Sequence, residues 1–193
     1  SHPRVAIVAT GSELVPPDQV PTPGKIRNSN SYAMAACVQE AGGIPFMLPI
    51  VEDTYEALSR AVAEASAEYD FVLTTGGAAN GDYDFIKQVV DDLGDLYMVT
   101  VNMRPGKAQT FGLVNNTPVF GLPGNPAAAF VGFHMLIRPA LRKMQGYKHF
   151  EHIVVQARLT SDQRKKDPRR IYLRSTLTKD EQGYVVTPAK NQS

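Results

Sequence analysis

Between Arg4 and Gly146, short β-branched runs alternate with stretches whose apolar residues recur at helical spacing. This alternation narrows the fold to repeated βαβ units around a mostly parallel sheet, because parallel strands need a crossover and a helix is the usual one. Val5 to Ala9 is a continuous apolar run, as expected of a strand buried on both faces, and it stops at Thr10-Gly11. After a loop holding Pro16, Pro17, Pro21 and Pro23, the residues Met34, Cys37, Val38 and Ala41 predict a helix that ends at Gly42-Gly43. Ile44 to Val51 leads to a second helix, with Asp53 as cap, Glu56 completing a capping box, and Leu58, Ala61, Val62 and Ala65 as the apolar stripe. Phe71 to Thr75 reads as another buried strand, and Ile86, Val89, Val90 and Leu93 as a third helical stripe closed by Gly94.

Tyr97 to Met103, Gln109 to Val114 and Pro118 to Leu122 are strand-like. Asn115-Asn116 between the last two tolerate positive φ and predict a hairpin. Asn125 is set to cap a helix with Pro126 at its first position. Phe130, Phe133, His134, Ile137 and Leu141 make that helix so apolar that self-association through it is expected. Beyond Tyr147 the period becomes two: Ile153, Val155, Ala157 and Leu159 alternate with polar residues, as do Ile171, Leu173 and Leu177, with a turn at Asp180 to Gly183. The sequence thus divides into an α/β domain over residues 4–146 and a small antiparallel β element over 150–193. A tail of about 45 residues cannot bury a core of its own, so the chain reads as part of something longer.

The formal net charge of +1 provides no field to recruit nucleic acid or an anionic membrane. The single cysteine, Cys37, excludes an internal disulfide or a multi-thiolate zinc site and is simplest as a core residue. No apolar run approaches the roughly 20 residues of a membrane span, and a cytoplasmic location is expected.

In an open α/β sheet, ligands bind beyond the carboxyl ends of the strands. Three glycine-containing turns fall there: ATGSEL from Ala9 to Leu14, TTGGAANGDYD from Thr74 to Asp84, and GLPGNP from Gly121 to Pro126. Glycine lets the backbone approach a ligand, and free N–H groups at a following helix start suit an oxyanion. A fourth loop, Arg104 to Lys107, sets two cations around a Pro-Gly turn, where a second anionic group can be held. The acids Glu13, Asp82 and Asp84 lie in the loops whose amides favour phosphate. Mg²⁺ resolves the conflict, since it is held by one or two carboxylates together with phosphate oxygens. A metal-bridged nucleotide or pterin phosphate is the ligand expected, although any one Gly-rich turn with an Asp at a helix start is often only a cap.

Other chemistries lack their motifs. GGAANG is neither a P-loop nor a GxGxxG fingerprint, and no GxSxG elbow surrounds Ser12. His149 and His152 have no third ligand nearby and His134 sits among aromatics, so packing or surface roles are expected and zinc is not. The run Arg164, Lys165, Lys166, Arg169 and Arg170 around Asp167-Pro168 reads first as a solvated hairpin end and second as an anion contact.

ATGSEL, GKIRNSN, TTGGAANGDYD, MRPGKAQTFG and GLPGNPAAAF, in this order and spacing from Val5 to Gly146, resemble the molybdopterin molybdenumtransferase family, whose eukaryotic relative is the C-terminal part of gephyrin. The resemblance implies a three-layer α/β/α domain of the kind also seen in molybdopterin adenylyltransferases (the MoaB/MogA-like fold), followed by the start of a β-barrel-like domain. It also implies further N-terminal domains in the full-length protein, a homodimer, and contact with the adenylyltransferase. The implied reaction is Mg²⁺-dependent: adenylylated molybdopterin and molybdate give molybdenum cofactor and AMP.

By the same resemblance, Glu13, Asp84 and Lys107 match catalytic positions, and Glu13, Asp82 and Asp84 the metal ligands. Thr10, Gly11, Ser12, Thr75, Gly76, Gly77, Arg104, Gly106, Pro123, Gly124, Asn125 and Pro126 match the substrate cradle, with Arg104 and Lys107 the basic pair for molybdate or pterin phosphate. The chain departs from the family pattern at Ser12 for Asp, Ala78-Ala79-Asn80 for Val-Ser-Met/Val, Arg104 for Lys, Ala108 for Pro and Ala128 for Ser. These departures leave open the choice between molybdate and a relative such as tungstate. An adenylyltransferase and a noncatalytic pterin-binding scaffold are the alternative readings.

Overall fold

The computed structural model describes residues 1–76, 85–164, 166–190 and 192. Their elements, in chain order, begin with β1 (Arg4–Thr10), β2 (Leu14–Val15), β3 (Ile26–Arg27), α1 (Asn30–Glu40), β4 (Ile44–Met47), α2 (Tyr55–Glu68) and β5 (Phe71–Gly76). There follow α3 (Phe85–Leu93), β6 (Gly94–Thr100), β7 (Met103–Arg104), β8 (Ala108–Val114), β9 (Thr117–Leu122) and α4 (Pro126–Gly132). A π-helical turn (Phe133–Ile137) joins α4 to α5 (Arg138–Met144), and β10 (Arg158–Leu159), β11 (Arg170–Ile171), β12 (Ser175–Asp180) and β13 (Gly183–Pro188) complete the set.

The central sheet runs β4-β1-β5-β9-β8-β6. The first four strands are mutually parallel; β8 runs antiparallel to β9, and β6, antiparallel to β8, forms that edge. Alternation along the buried strands divides the core in two. Val5, Ile7, Phe71, Leu73, Phe120 and Leu122 point to one face, where Met34, Cys37 and Val38 of α1 and the helices from α4 to α5 cover them. Ala6, Val8, Val72 and Val119 point to the other, under Leu58, Val62 and Ala65 of α2 and Ile86, Val89 and Val90 of α3. This is the expected mixed α/β architecture with a mostly parallel sheet between two helical layers. Each of these large aliphatic side chains contributes roughly 1.5–3 kcal/mol by leaving water.

The hairpin from β8 to β9 turns through Asn115 and Asn116 at φ 52° and 61°, as their sequence predicts. Asn125 caps α4, its side chain accepting from the Ala128 amide at 3.0 Å, with Pro126 following. The helix then widens: the Arg138 N–H bonds the Phe133 carbonyl, five residues back. Pro139 explains this, because it has no N–H to give and its ring displaces the carbonyl of the preceding turn. Ala129, Phe133, Ile137 and Leu141 are all fully buried in the chain's own core. That removes most of the apolar excess expected on this helix, and Phe130 keeps 41% exposure.

Three local expectations change. Asp53 does not cap α2: Thr54 does, accepting from the Ala57 amide, while Asp53 accepts from Thr10 Oγ1 at 3.5 Å. The strand expected to begin at Tyr97 begins at Gly94, directly after α3, because pairing with Val114 and Leu113 of β8 starts there. In the tail, β12 and β13 form the antiparallel hairpin turning at residues 180–183, but only Arg158 and Leu159 of the expected first strand pair, parallel to β13. Ile153 and Val154 are 94% and 88% exposed; alternation alone cannot make a strand where no partner backbone is in reach.

Candidate functional site

The strand order brings the carboxyl ends of β1, β5 and β9 side by side, with Thr10 opposite Gly76 and Thr75 opposite Leu122. Gly76 has φ 105°, and a Cβ placed on it would stand 2.0 Å from the Thr10 carbonyl oxygen. A Cβ on Gly124 would meet the Gly76 Cα at 3.5 Å. The ends of β1 and β5 and the turn after β9 therefore meet at one seam, with no room for a side chain at Gly76 and Gly124 in ordinary contact beside it. Asn30, the first residue of α1, closes it: its Nδ2 donates to Thr75 Oγ1 and to the Gly124 carbonyl, both at 2.9 Å. Asn28 sets that helix start, its Oδ1 accepting from the Ser31 amide and its Nδ2 donating to Ser31 Oγ. The sequence motif GKIRNSN contains Asn30, but nothing in its spacing marks it as the residue that joins two distant turns.

On the β1 side of the seam the chain folds back. The Ile26 amide donates to the Glu13 carbonyl, and Lys25 Nζ donates to the Ser12 carbonyl at 2.5 Å. The Glu13 carboxylate lies over Gly11, where a Cβ would meet its oxygens at 2.9 Å. A cavity of about 920 Å³ opens here, lined by Gly11, Ser12, Lys25, Tyr32, Glu52 and Asp53 among others.

On the β9 side, the loop from Arg104 to Lys107 packs on the first turn of α4. A Cβ on Gly106, at φ 89°, would lie 3.4 Å from the Ala128 carbonyl. Gln109, 1% exposed, supports the loop from beneath: its Nε2 donates to the Gly106 carbonyl at 2.7 Å and contacts Met103 Sδ at 3.3 Å. Arg104, Gly106, Asn125 and Ala128 line a second cavity of about 620 Å³ together with Ile171 and Tyr172 of the C-terminal segment.

That segment keeps the solvent exposure the charge run suggests, with Arg164, Lys166 and Arg170 exposed, but it is not a hairpin end. β11 pairs with β7, the Tyr172 amide donates to the Arg104 carbonyl at 2.9 Å, and Asp167 accepts from both Arg169 and Arg104. Hydrogen bonds from the Arg169 side chain, from its backbone N–H and from Arg104 hold the Asp167 carboxyl well below the usual carboxylate range.

Of the expected site residues, the structure joins Thr10, Thr75, Gly76 and Gly124 at the seam, sets Gly11 and Ser12 on the first cavity, and sets Arg104, Gly106 and Asn125 on the second. Pro123 links β9 to this turn and Pro126 opens α4. Lys107 is exposed on the same loop as Arg104. Gly77, Asp82 and Asp84 lie outside the described residues, as do Ala78, Ala79 and Asn80. Among the described residues no three His, Cys, Asp or Glu side chains cluster as a metal site. His134 packs on Phe130 at 4.3 Å between ring centres, burial pushing its pKa down, and its carbonyl meets His152 Nε2. Cys37 is a buried free thiol in the core.

Residues 6–143 match the family described as the probable molybdopterin binding domain. Over 181 residues the chain is 39% identical to a molybdopterin molybdenumtransferase of Nostoc, covering 91% of this chain and 42% of that protein. It superposes on a molybdopterin biosynthesis MoeA protein from Pyrococcus with a TM-score of 0.78 and 30% identity, covering 98% of this chain and 46% of the other. A molybdopterin biosynthesis protein from Mycobacterium abscessus, 18% identical with a TM-score of 0.61, covers 74% of this chain and 93% of its own, and shares the fold. The chain thus spans less than half the length of the Nostoc relative. No helix among the described residues is long and apolar enough to cross a membrane. With the α/β/α core, the glycine seam and the family match coinciding over the same residues, the chain belongs to the molybdopterin-binding domain family.

Proposed function

We propose that this chain is the ligand-binding part of a molybdopterin molybdenumtransferase, acting on adenylylated molybdopterin and molybdate and releasing AMP. One observation carries the reading: backbone, not side chain, forms the floor where Gly76 meets the Thr10 carbonyl with Gly124 in contact beside it, and the next residues along, Gly11 and Asn125, line two cavities. Such a floor offers N–H groups to phosphate, and the start of α4 adds the positive end of its dipole. The Ser12 hydroxyl supplies a further donor on the first cavity, while the Thr10 and Thr75 hydroxyls bond Asp53 and Asn30 and hold the seam together. Arg104 and Lys107 hold the oxyanion, molybdate or tungstate, by charge-assisted hydrogen bonds.

Glu13, with Asp82 and Asp84, fits a Mg²⁺ site by the chemistry of its oxygen donors. When bound, the ion offsets the charge that develops as the phosphoanhydride is cleaved. The chain's own part is to orient: Asn30 fixes the seam, and Gln109 fixes the cationic loop. In the same reading, residues 4–146 form the binding domain and 150–193 part of a second, β-rich one. The full-length protein is a cytoplasmic homodimer that contacts the adenylyltransferase producing its substrate.

Calorimetric titration of the full-length protein with adenylylated molybdopterin tests this reading. Binding that strengthens about tenfold or more with Mg²⁺, or 1.4 kcal/mol, is the expected result. Affinity independent of the metal would remove Glu13, Asp82 and Asp84 from the mechanism, and no binding would remove the function.

A further inference from the structure

The basic segment over residues 164–170 contains one acid, Asp167, and it is held by several hydrogen bonds. Asp167 is 11% exposed. Its Oδ1 accepts from the backbone N–H and the Nε of Arg169, both at 2.9 Å, and its Oδ2 accepts from Arg169 Nη2 at 2.5 Å. These three bonds fix the carboxylate before Arg104 is considered. Arg104 Nη1 then donates to the same Oδ2 at 3.0 Å. The Arg104 side chain is 60% exposed, yet it is moored at its tip, while its backbone is locked by the Tyr172 amide on its carbonyl and the pairing of β7 with β11.

A guanidinium has five N–H donors, so one bond to Asp167 leaves the others for a ligand in the cavity that Arg104 lines with Gly106 and Asn125. An arginine on a flexible stem loses rotamer freedom when it binds; one already held loses little. We propose that Asp167 is a positioning residue for oxyanion binding, presetting the Arg104 guanidinium at the rim of the second cavity. The proposal rests on the reading that the loop from Arg104 to Lys107 takes a tetrahedral oxyanion, and it adds that the C-terminal segment determines how well. Arg169 acts one step further out, by aiming Asp167.

The test is a double-mutant cycle on the full-length protein, read by calorimetric titration with sodium molybdate. Asp167→Asn is expected to weaken molybdate binding by roughly three- to tenfold, the range for loss of one coupled polar partner. In an Arg104→Ala background the same substitution is expected to change affinity less than about twofold, because the group it positions is gone. A carboxylate that only staples the C-terminal segment to β7 acts through the same Arg104 bond and is read separately: loss of the β7 to β11 pairing in Asp167→Asn, seen as exchange of the Tyr172 amide at the unfolded rate, overturns the proposal, as would equal weakening in both backgrounds or tighter binding by Asp167→Asn. If Asp167→Asn fails to fold, Arg169→Lys replaces it, with the same dependence on Arg104 expected. Absence of molybdate binding by the unmodified protein would end the functional reading and this proposal together, whereas additive effects end the proposal alone.

Discussion

Asn30 lies at the start of the first helix, 94 residues before Gly124, yet its amide donates to that glycine's carbonyl at 2.9 Å. With the second bond to Thr75 Oγ1, it links the ends of β5 and β9 through a third element. Asn30→Ala removes both bonds and leaves two acceptors to find other donors. The expected cost is about 1–3 kcal/mol, or a melting temperature lower by several degrees, measured by thermal denaturation.

Gly76 admits no side chain. Its φ of 105° and the Thr10 carbonyl 2.0 Å from a Cβ position both oppose one. Gly76→Ala is expected to destabilise the protein by more than about 1 kcal/mol in urea unfolding, and to separate the turns at Thr10 and Gly124. Gly183→Ala, at φ 122° with open space around it, carries only the backbone strain and is expected to cost less.

Gln109 separates loop geometry from overall stability. Its Nε2 holds the Gly106 carbonyl, but its Oε1 is buried without a partner. Gln109→Leu loses the bond to Gly106 and the weaker one to Met103 Sδ together with one desolvated acceptor, so global stability is expected to shift by less than about 1 kcal/mol. Molybdate affinity is expected to fall at the same time, because the loop from Arg104 to Lys107 loses its support. Unchanged affinity in calorimetry would dissociate Gln109 from the loop's function.

The Asp167 carboxyl has its pKa lowered in the folded chain, chiefly by the Arg169 side chain. A depressed carboxyl contributes stability that is fully present above its unfolded pKa of about 4 and is lost as pH falls through the lower folded value. Hydrogen exchange at Arg170 and Tyr172 is therefore expected to accelerate as the solution is acidified below about pH 4, beyond the intrinsic pH effect. Asp167→Asn is expected to abolish that extra acceleration.

Burial and, secondarily, the nearby Glu40 push the Cys37 thiol pKa up. The thiolate is the reactive form, so Cys37 is expected to resist disulfide-exchange reagents in the native protein and to react fully on unfolding, as absorbance of the released thiol would report.

The sheet and its helices were legible because burial on both faces writes itself as unbroken apolar runs, as in Val5 to Ala9, and helical faces as stripes such as Leu58, Val62 and Ala65. The meeting of the strand ends at Thr10 and Gly76 with the turn at Gly124 was legible too, since parallel strands leave all their carboxyl ends on one side. What was not legible depends on contacts distant in sequence. Nothing near Asn30 announces Thr75 and Gly124, and nothing near Asp167 announces Arg104, 63 residues away. The exposure of Arg164, Lys166 and Arg170 was legible in their charge, but the pairing of β11 with β7 was not, because a partner backbone leaves no mark on composition. Likewise Ile153 to Ala157 alternate as a strand should, but a strand exists only with a neighbour.

The widened turn between α4 and α5 has a consequence for the length of that helix. Ala129, Phe133, Ile137 and Leu141 recur every four residues, a spacing that drifts about 40° per step around a regular α-helix. Across three steps the last of them would face sideways, and the wider turn cancels that rotation. The helix therefore holds one residue more than its contact with the sheet requires. Deleting Met135 would restore four-three-four spacing and keep the same face inward, so a shorter relative carrying a non-proline residue in place of Pro139 could seat an unbroken helix on the same sheet without altering those four core side chains.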